Sequence, residues 1–62
     1  MRITVKSVRK TQNCTIEEMA EKLGISPDLY RFYEDYPTLI PTDIALKISA
    51  IGHISVDYIF FG

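Results

Sequence analysis

The sequence has few of the residues on which catalysis or cross-linking depends. It holds one cysteine, Cys14, and one histidine, His53, far apart along the chain. A single cysteine excludes an internal disulfide framework and a metal site built from several thiolates. One isolated His and one isolated Cys do not make a nucleophile–base–acid constellation. There is also no glycine-rich phosphate loop and no cluster at metal-ligand spacing, so the chain is expected to be no enzyme and to need no cofactor or metal. Cys14 reads as a small, partly buried residue in the first inter-helix turn rather than a reactive thiol. His53 reads as a turn residue at a helix end. No apolar run approaches the roughly 20 residues that span a bilayer, and no signal peptide is visible, so a cytoplasmic chain without a membrane partner is expected. Repeats and low-complexity segments are absent. Period-2 alternation is absent as well, so no sheet is expected, and residues 3–5 are the one stretch with strand character.

What is present points to helices. With 62 residues and 47% hydrophobic content, the chain reads as one small domain, residues 1–62, with a modest core that a dimer would reinforce. Residues 15–36 carry the densest pattern. Thr15 is a natural N-cap, and Glu18 three residues later completes a capping box. Ile16, Met19, Ala20 and Leu23 form one helical stripe, with Ala20 small where two helices would cross. Gly24 fits a helix C-terminus with positive φ. Ser26 caps the next helix, Pro27 takes its first position, and Asp28 suits the first turn. Ile25, Tyr30 and Tyr33 join Met19 and Leu23 in a shared core. The unit is a helix, a tight turn and a second helix.

The whole chain reads as five helices. The first runs from about Thr4 to Gln12, stopped by Asn13 in a left-handed conformation. The second covers about 16–23 and the third about 27–35. Pro37 and Pro41 forbid a continuing helix, so 36–41 is a loop. The fourth runs from about Asp43 to Ile51, capped by Thr42 or Asp43, with Ile44, Ala45, Ile48 and Ile51 inward and Gly52-His53 ending it. Ser55 caps a short fifth helix over Val56 to Phe61. In that segment every residue but Asp57 is apolar or aromatic, more than one short helix buries inward. Tyr58, Phe60 and Phe61 are therefore expected at a homodimer contact.

This layout resembles the lambda-repressor-like, Cro-type helix-turn-helix family over nearly the whole chain. The matching residues are Val8-Arg9-Lys10, the run Glu17 to Ser26, the pair Tyr33-Glu34, Ala45 to Ser49, and Ser55 to Gly62. The resemblance implies a compact, all-α five-helix domain and DNA-binding transcriptional control, often in phage or other mobile-element circuits. It implies that the third helix enters the major groove of operator DNA, with base-reading places at Pro27, Asp28 and Phe32. Departures from the family pattern are Ile16 where a phosphate-contacting glutamine is usual, Gly52 where a leucine is usual, and His53 where a glycine or asparagine is usual.

Charge complicates the DNA reading. Residues 1–13 carry Arg2, Lys6, Arg9 and Lys10 and no acid, a balance of +4, whereas the remainder balances at −5. Residues 15–36 alone balance at −4, with two bases against six acids. Phosphate neutralisation dominates DNA affinity, so those acids must face away from a duplex. Arg9, Lys10, Thr15, Ser26, Pro27, Asp28, Leu29, Arg31 and Phe32 are the expected DNA contacts. Arg31 has a simpler alternative, a surface ion pair with Asp28 or Asp35. Asp28, Leu29 and Phe32 also suggest a second function, an acidic-apolar patch that docks on another repressor as an antirepressor. The simpler alternative for Phe32 is that it folds back on the loop near Leu39.

Overall fold

Local capping signals set the two central helices. In the computed structural model, which describes residues 2–61, helix α2 spans Ile16–Leu23 and helix α3 spans Pro27–Asp35, as the sequence predicts. The Thr15 hydroxyl accepts from the Glu18 amide at 3.1 Å, and the Glu18 carboxylate accepts from the Thr15 amide at 2.9 Å. Gly24 ends α2 at φ 72°, a left-handed conformation, and a Cβ there would meet nothing within 4 Å. Its glycine is required by the turn and not by crowding. Ser26 then accepts from the Leu29 amide at 3.1 Å and starts α3. Met1 and Gly62, the ends of the expected domain, lie outside the described residues, and with Gly62 the last residue of the segment Ser55 to Gly62.

Helix α1 spans Val5–Thr11 with Thr4 as its N-cap, and Asn13 follows at φ 54°, the left-handed stop expected of it. Helix α4 spans Thr42–Gly52. Neither Thr42 nor Asp43 caps it. Pro41, extended at ψ 154°, is the boundary residue and places Thr42 inside the first turn, with no side-chain cap. The 36–41 loop contains a 3-10 turn, Pro37–Leu39.

The fold has four α-helices among the described residues, and the expected fifth is absent. Ser55 caps only a 3-10 turn, Val56–Tyr58, which runs into strand β2, Ile59–Phe60. Strand β1, Ile3–Thr4, pairs with it in parallel, Ile3 opposite Ile59 and Thr4 opposite Phe60. The reason is visible in the burial. Ile59 is buried while Tyr58 and Phe60 on either side are exposed, the alternation of an extended backbone. The molecule is thus mostly helical with one short parallel clasp, where no sheet was expected.

Val5, Val8, Met19, Ala20, Leu23, Tyr30, Tyr33, Ile44, Ile48 and Ile59 share a single core with Cys14. At Gly52, α4 packs tightly against Val8 of α1. A Cβ there would lie 2.5 Å from Val8 Cγ1, so the larger side chain usual in the resembling family does not fit. His53 follows at φ 54°, a non-glycine residue holding the left-handed end of α4.

Candidate nucleic-acid interface

Helix α3 is held from within and displayed outward. Tyr30 is fully buried and Tyr33 nearly so, which fixes the rotation of the helix about its axis. Pro27, Asp28, Leu29, Arg31 and Phe32 consequently face solvent. Leu29 is 38% exposed and Phe32 41%, the arrangement that two core tyrosines impose. The Phe32 ring is tilted against Tyr36, with ring centroids 5.0 Å apart. Tyr36 and Leu39 are exposed as well; the sequence names Leu39 only as a place for Phe32 to fold back on, whereas the ring that Phe32 meets is that of Tyr36, which the sequence reading missed. The available signal was the spacing from Leu29 and Phe32 to Tyr36, seven and four residues, which continues the outer stripe of α3.

Arg31 donates from Nη1 to Asp28 Oδ1 at 3.2 Å, the ion pair foreseen as its simpler role. Both side chains are open to solvent, so the pair contributes little to stability.

Arg9 was expected with Lys10 at a nucleic acid, yet its guanidinium is turned inward and mostly covered. Its Nε is 2.7 Å from Glu34 Oε2, and its Nη1 donates to the Cys14 carbonyl at 3.0 Å. The two charged side chains are only 12% and 8% exposed. The hydrogen bond to Glu34 raises the Arg9 pKa further, against the effect of burial. Arg9 therefore ties α1 to the last turn of α3 and to the turn before α2, and so orients the displayed helix. Nothing local in the sequence marks this pair, because its members lie on different helices. Arg2, Lys6 and Lys10 are the exposed cations of the N-terminal region, and Lys6 and Lys10 share one face of α1.

Thr15 and Ser26 accept the capping bonds described above, which leaves each hydroxyl free to donate. Ile16 is half-buried against the core, the end of its apolar stripe. Tyr58 and Phe60 are exposed on the clasp, and Phe61 packs partly against the core. Among the described residues no group of His, Cys, Asp and Glu could hold a metal ion, and no helix is long and apolar enough to cross a membrane.

Residues 5–59 match a family model described as helix-turn-helix. The chain is 34% identical over 55 residues to the uncharacterized HTH-type transcriptional regulator YobD of Bacillus subtilis (strain 168), covering 89% of this chain and 49% of that protein. It is 39% identical over 64 residues to the uncharacterized HTH-type transcriptional regulator YqaE of the same organism, covering 94% and 50%. The chain spans about half the length of the curated relatives it matches. No solved structure matches it significantly.

Proposed function

Because the chain belongs to the helix-turn-helix family, we propose that it is a small DNA-binding transcriptional regulator of the Cro and repressor type, which sets α3 in the major groove of its operator. The display of α3 carries this reading. Two buried tyrosines and the Arg9–Glu34 pair fix the helix from below, while its capped, proline-led first turn projects outward. Lys10, with Lys6 and Arg2, supplies phosphate contacts, and Thr15 and Ser26 donate hydroxyl protons to the backbone. Pro27, Asp28, Leu29, Arg31 and Phe32 meet base edges, with Phe32 suited to a thymine methyl. Arg9 orients α3 without touching DNA. Two copies associate through Tyr58, Phe60 and Phe61, so that paired helices meet successive half-sites. A cytoplasmic setting in a phage or mobile-element circuit completes the reading.

Mobility shifts across a salt series test it. Lys10→Ala and Arg31→Ala should each weaken binding, and Lys10→Ala should make the log–log salt dependence shallower, by about one contact. Unchanged affinity in both variants overturns the reading.

One observation favours a second function. Leu29, Phe32 and Tyr36 are exposed at helical spacing, with the Phe32 and Tyr36 rings in contact, Leu39 exposed in the turn that follows, and Asp28 and Asp35 exposed on the same helix. On this reading these residues dock on another repressor, and the protein acts as an antirepressor. Phe32→Ala would then lose about 2 kcal/mol or more of partner affinity with the fold intact. Pull-down and titration calorimetry separate the two, because a DNA reader retains operator binding without any such partner.

A further inference from the structure

We infer that Asp28 and Arg31 form one reading unit for a single G·C base pair. The inference rests on the DNA reading above and deepens it. The two side chains stand at i and i+3 on the outward face of α3, joined by one hydrogen bond of 3.2 Å from Arg31 Nη1 to Asp28 Oδ1. Among the described residues neither makes another side-chain hydrogen bond. A guanidinium has five N–H donors in a fixed fork, so four remain available, and the carboxylate keeps most of its acceptor sites. The pair therefore presents a block of donors beside a block of acceptors.

The major-groove edge of a G·C pair has the complementary order. Guanine offers N7 and O6 as acceptors, and cytosine offers its N4 amine as a donor. Arg31 on the guanine and Asp28 on the cytosine match every group. An A·T pair instead sets an adenine amine where guanine has O6, and a thymine carbonyl where cytosine has its amine, with the thymine methyl beyond. Arg31 would keep N7 but meet a donor in place of O6, and Asp28 would meet an acceptor. Like would face like on both sides, and discrimination comes from that misfit.

The unit also accounts for an acid at the tip of a helix that approaches a polyanion. Asp28 and Arg31 together carry no net charge, so the pair adds little sequence-independent attraction to phosphate. Held by Asp28, Arg31 is kept from any nearby phosphate and aimed at a base edge. The phosphate contacts that position the protein come from elsewhere, chiefly from Arg2, Lys6 and Lys10.

The test is selection from randomised duplexes with the parent, Arg31→Ala and Asp28→Asn, followed by titration of the selected duplex with 7-deazaguanine at the assigned position. Both side chains are exposed, so the fold survives either change, which circular dichroism verifies. The parent should enrich one G·C pair per half-site, and replacing it by A·T should weaken binding on the order of ten- to a hundredfold. Arg31→Ala should become indifferent at that position alone, with the rest of its selected sequence unchanged. The deaza substitution removes the N7 acceptor and should weaken the parent several-fold but not Arg31→Ala. Asp28→Asn should bind with a steeper salt dependence and discriminate less against A·T. Identical preferences for the parent and both variants at every position overturn the unit while leaving the DNA reading standing. Failure of the parent to enrich any sequence overturns the DNA reading and the unit with it.

Discussion

Gly52 has no side chain because Val8 occupies the space. A β-branched, fully buried Val8 has no free rotation with which to move its Cγ1 away from an added methyl group 2.5 Å distant. Gly52→Ala should destabilise the fold by about 1–3 kcal/mol. Combined with Val8→Ala the loss should fall below the sum of the two single losses, which urea unfolding of all four proteins measures. Additive losses would exclude the contact. Ala20 of α2 is fully buried in the core, and Ala20→Leu should cost a similar amount by overpacking. Tyr30 presents a different situation. Its hydroxyl is buried beside Arg9 and Glu34 without a hydrogen-bond partner. Burial first, and then the Glu34 carboxylate, push its ionisation well above the ordinary value near 10, and Arg9 opposes the shift only in part. A raised folded-state pKa means that the native phenol keeps its proton when the unfolded one loses it. Stability is thus whole below pH 10 and declines as pH rises above it. Tyr30→Phe should be neutral to about 1 kcal/mol stabilising at pH 7, since it deletes an unpartnered polar group, and should lose less stability between neutral and alkaline pH. Destabilisation of more than about 1 kcal/mol at pH 7 would mean that the hydroxyl is bonded after all.

At the level of elements, α2 rests on its capping box. Thr15→Ala should destabilise the fold by about 1 kcal/mol. Because the Glu18 carboxylate accepts from the Thr15 backbone, its pKa is held below the ordinary 4.5. A depressed folded-state pKa gives support that is complete above pH 4.5 and is lost as pH falls below it. Glu18→Gln keeps an acceptor without a titrating proton, so the variant should show a flatter acid profile in thermal melts monitored by circular dichroism; an unaltered profile would remove Glu18 as a contributor. The same locality explains what the sequence disclosed. The bounds of α2 and α3 were legible because each cap bonds within three residues. The core tyrosines and the outward Leu29 and Phe32 followed from helical spacing. The start of α4 was misread because no side chain caps it. The fifth helix was misread because Ile59 and Phe60 take their conformation from Ile3 and Thr4, at the other end of the chain. The internal role of Arg9 was hidden for the same reason, since Glu34 reaches it only after α3 has packed on α1.

At the scale of the molecule, the exposed Tyr58 and Phe60 bear on assembly. Phe60→Ser should leave the fold intact, because Phe60 is exposed, and should shift sedimentation of the proposed homodimer toward monomer. A parent that already sediments as a monomer at micromolar concentration would refute the proposed homodimer. The clasp itself has a mechanical consequence. Its two strands run in the same direction, so the backbone enters β1 at one end of the pair and leaves β2 at the opposite end. Tension applied between residues 2 and 61 therefore pulls the strands past each other, loading their hydrogen bonds together instead of one after another. The clasp behaves as a shear joint across the two extremities of the described chain, and whatever pulls on β2 is resisted first at Ile3 and Thr4. In optical tweezers, Phe60→Pro, which deletes a backbone donor, should lower the rupture force, while an equal force applied across α2 and α3 should be unaffected by it.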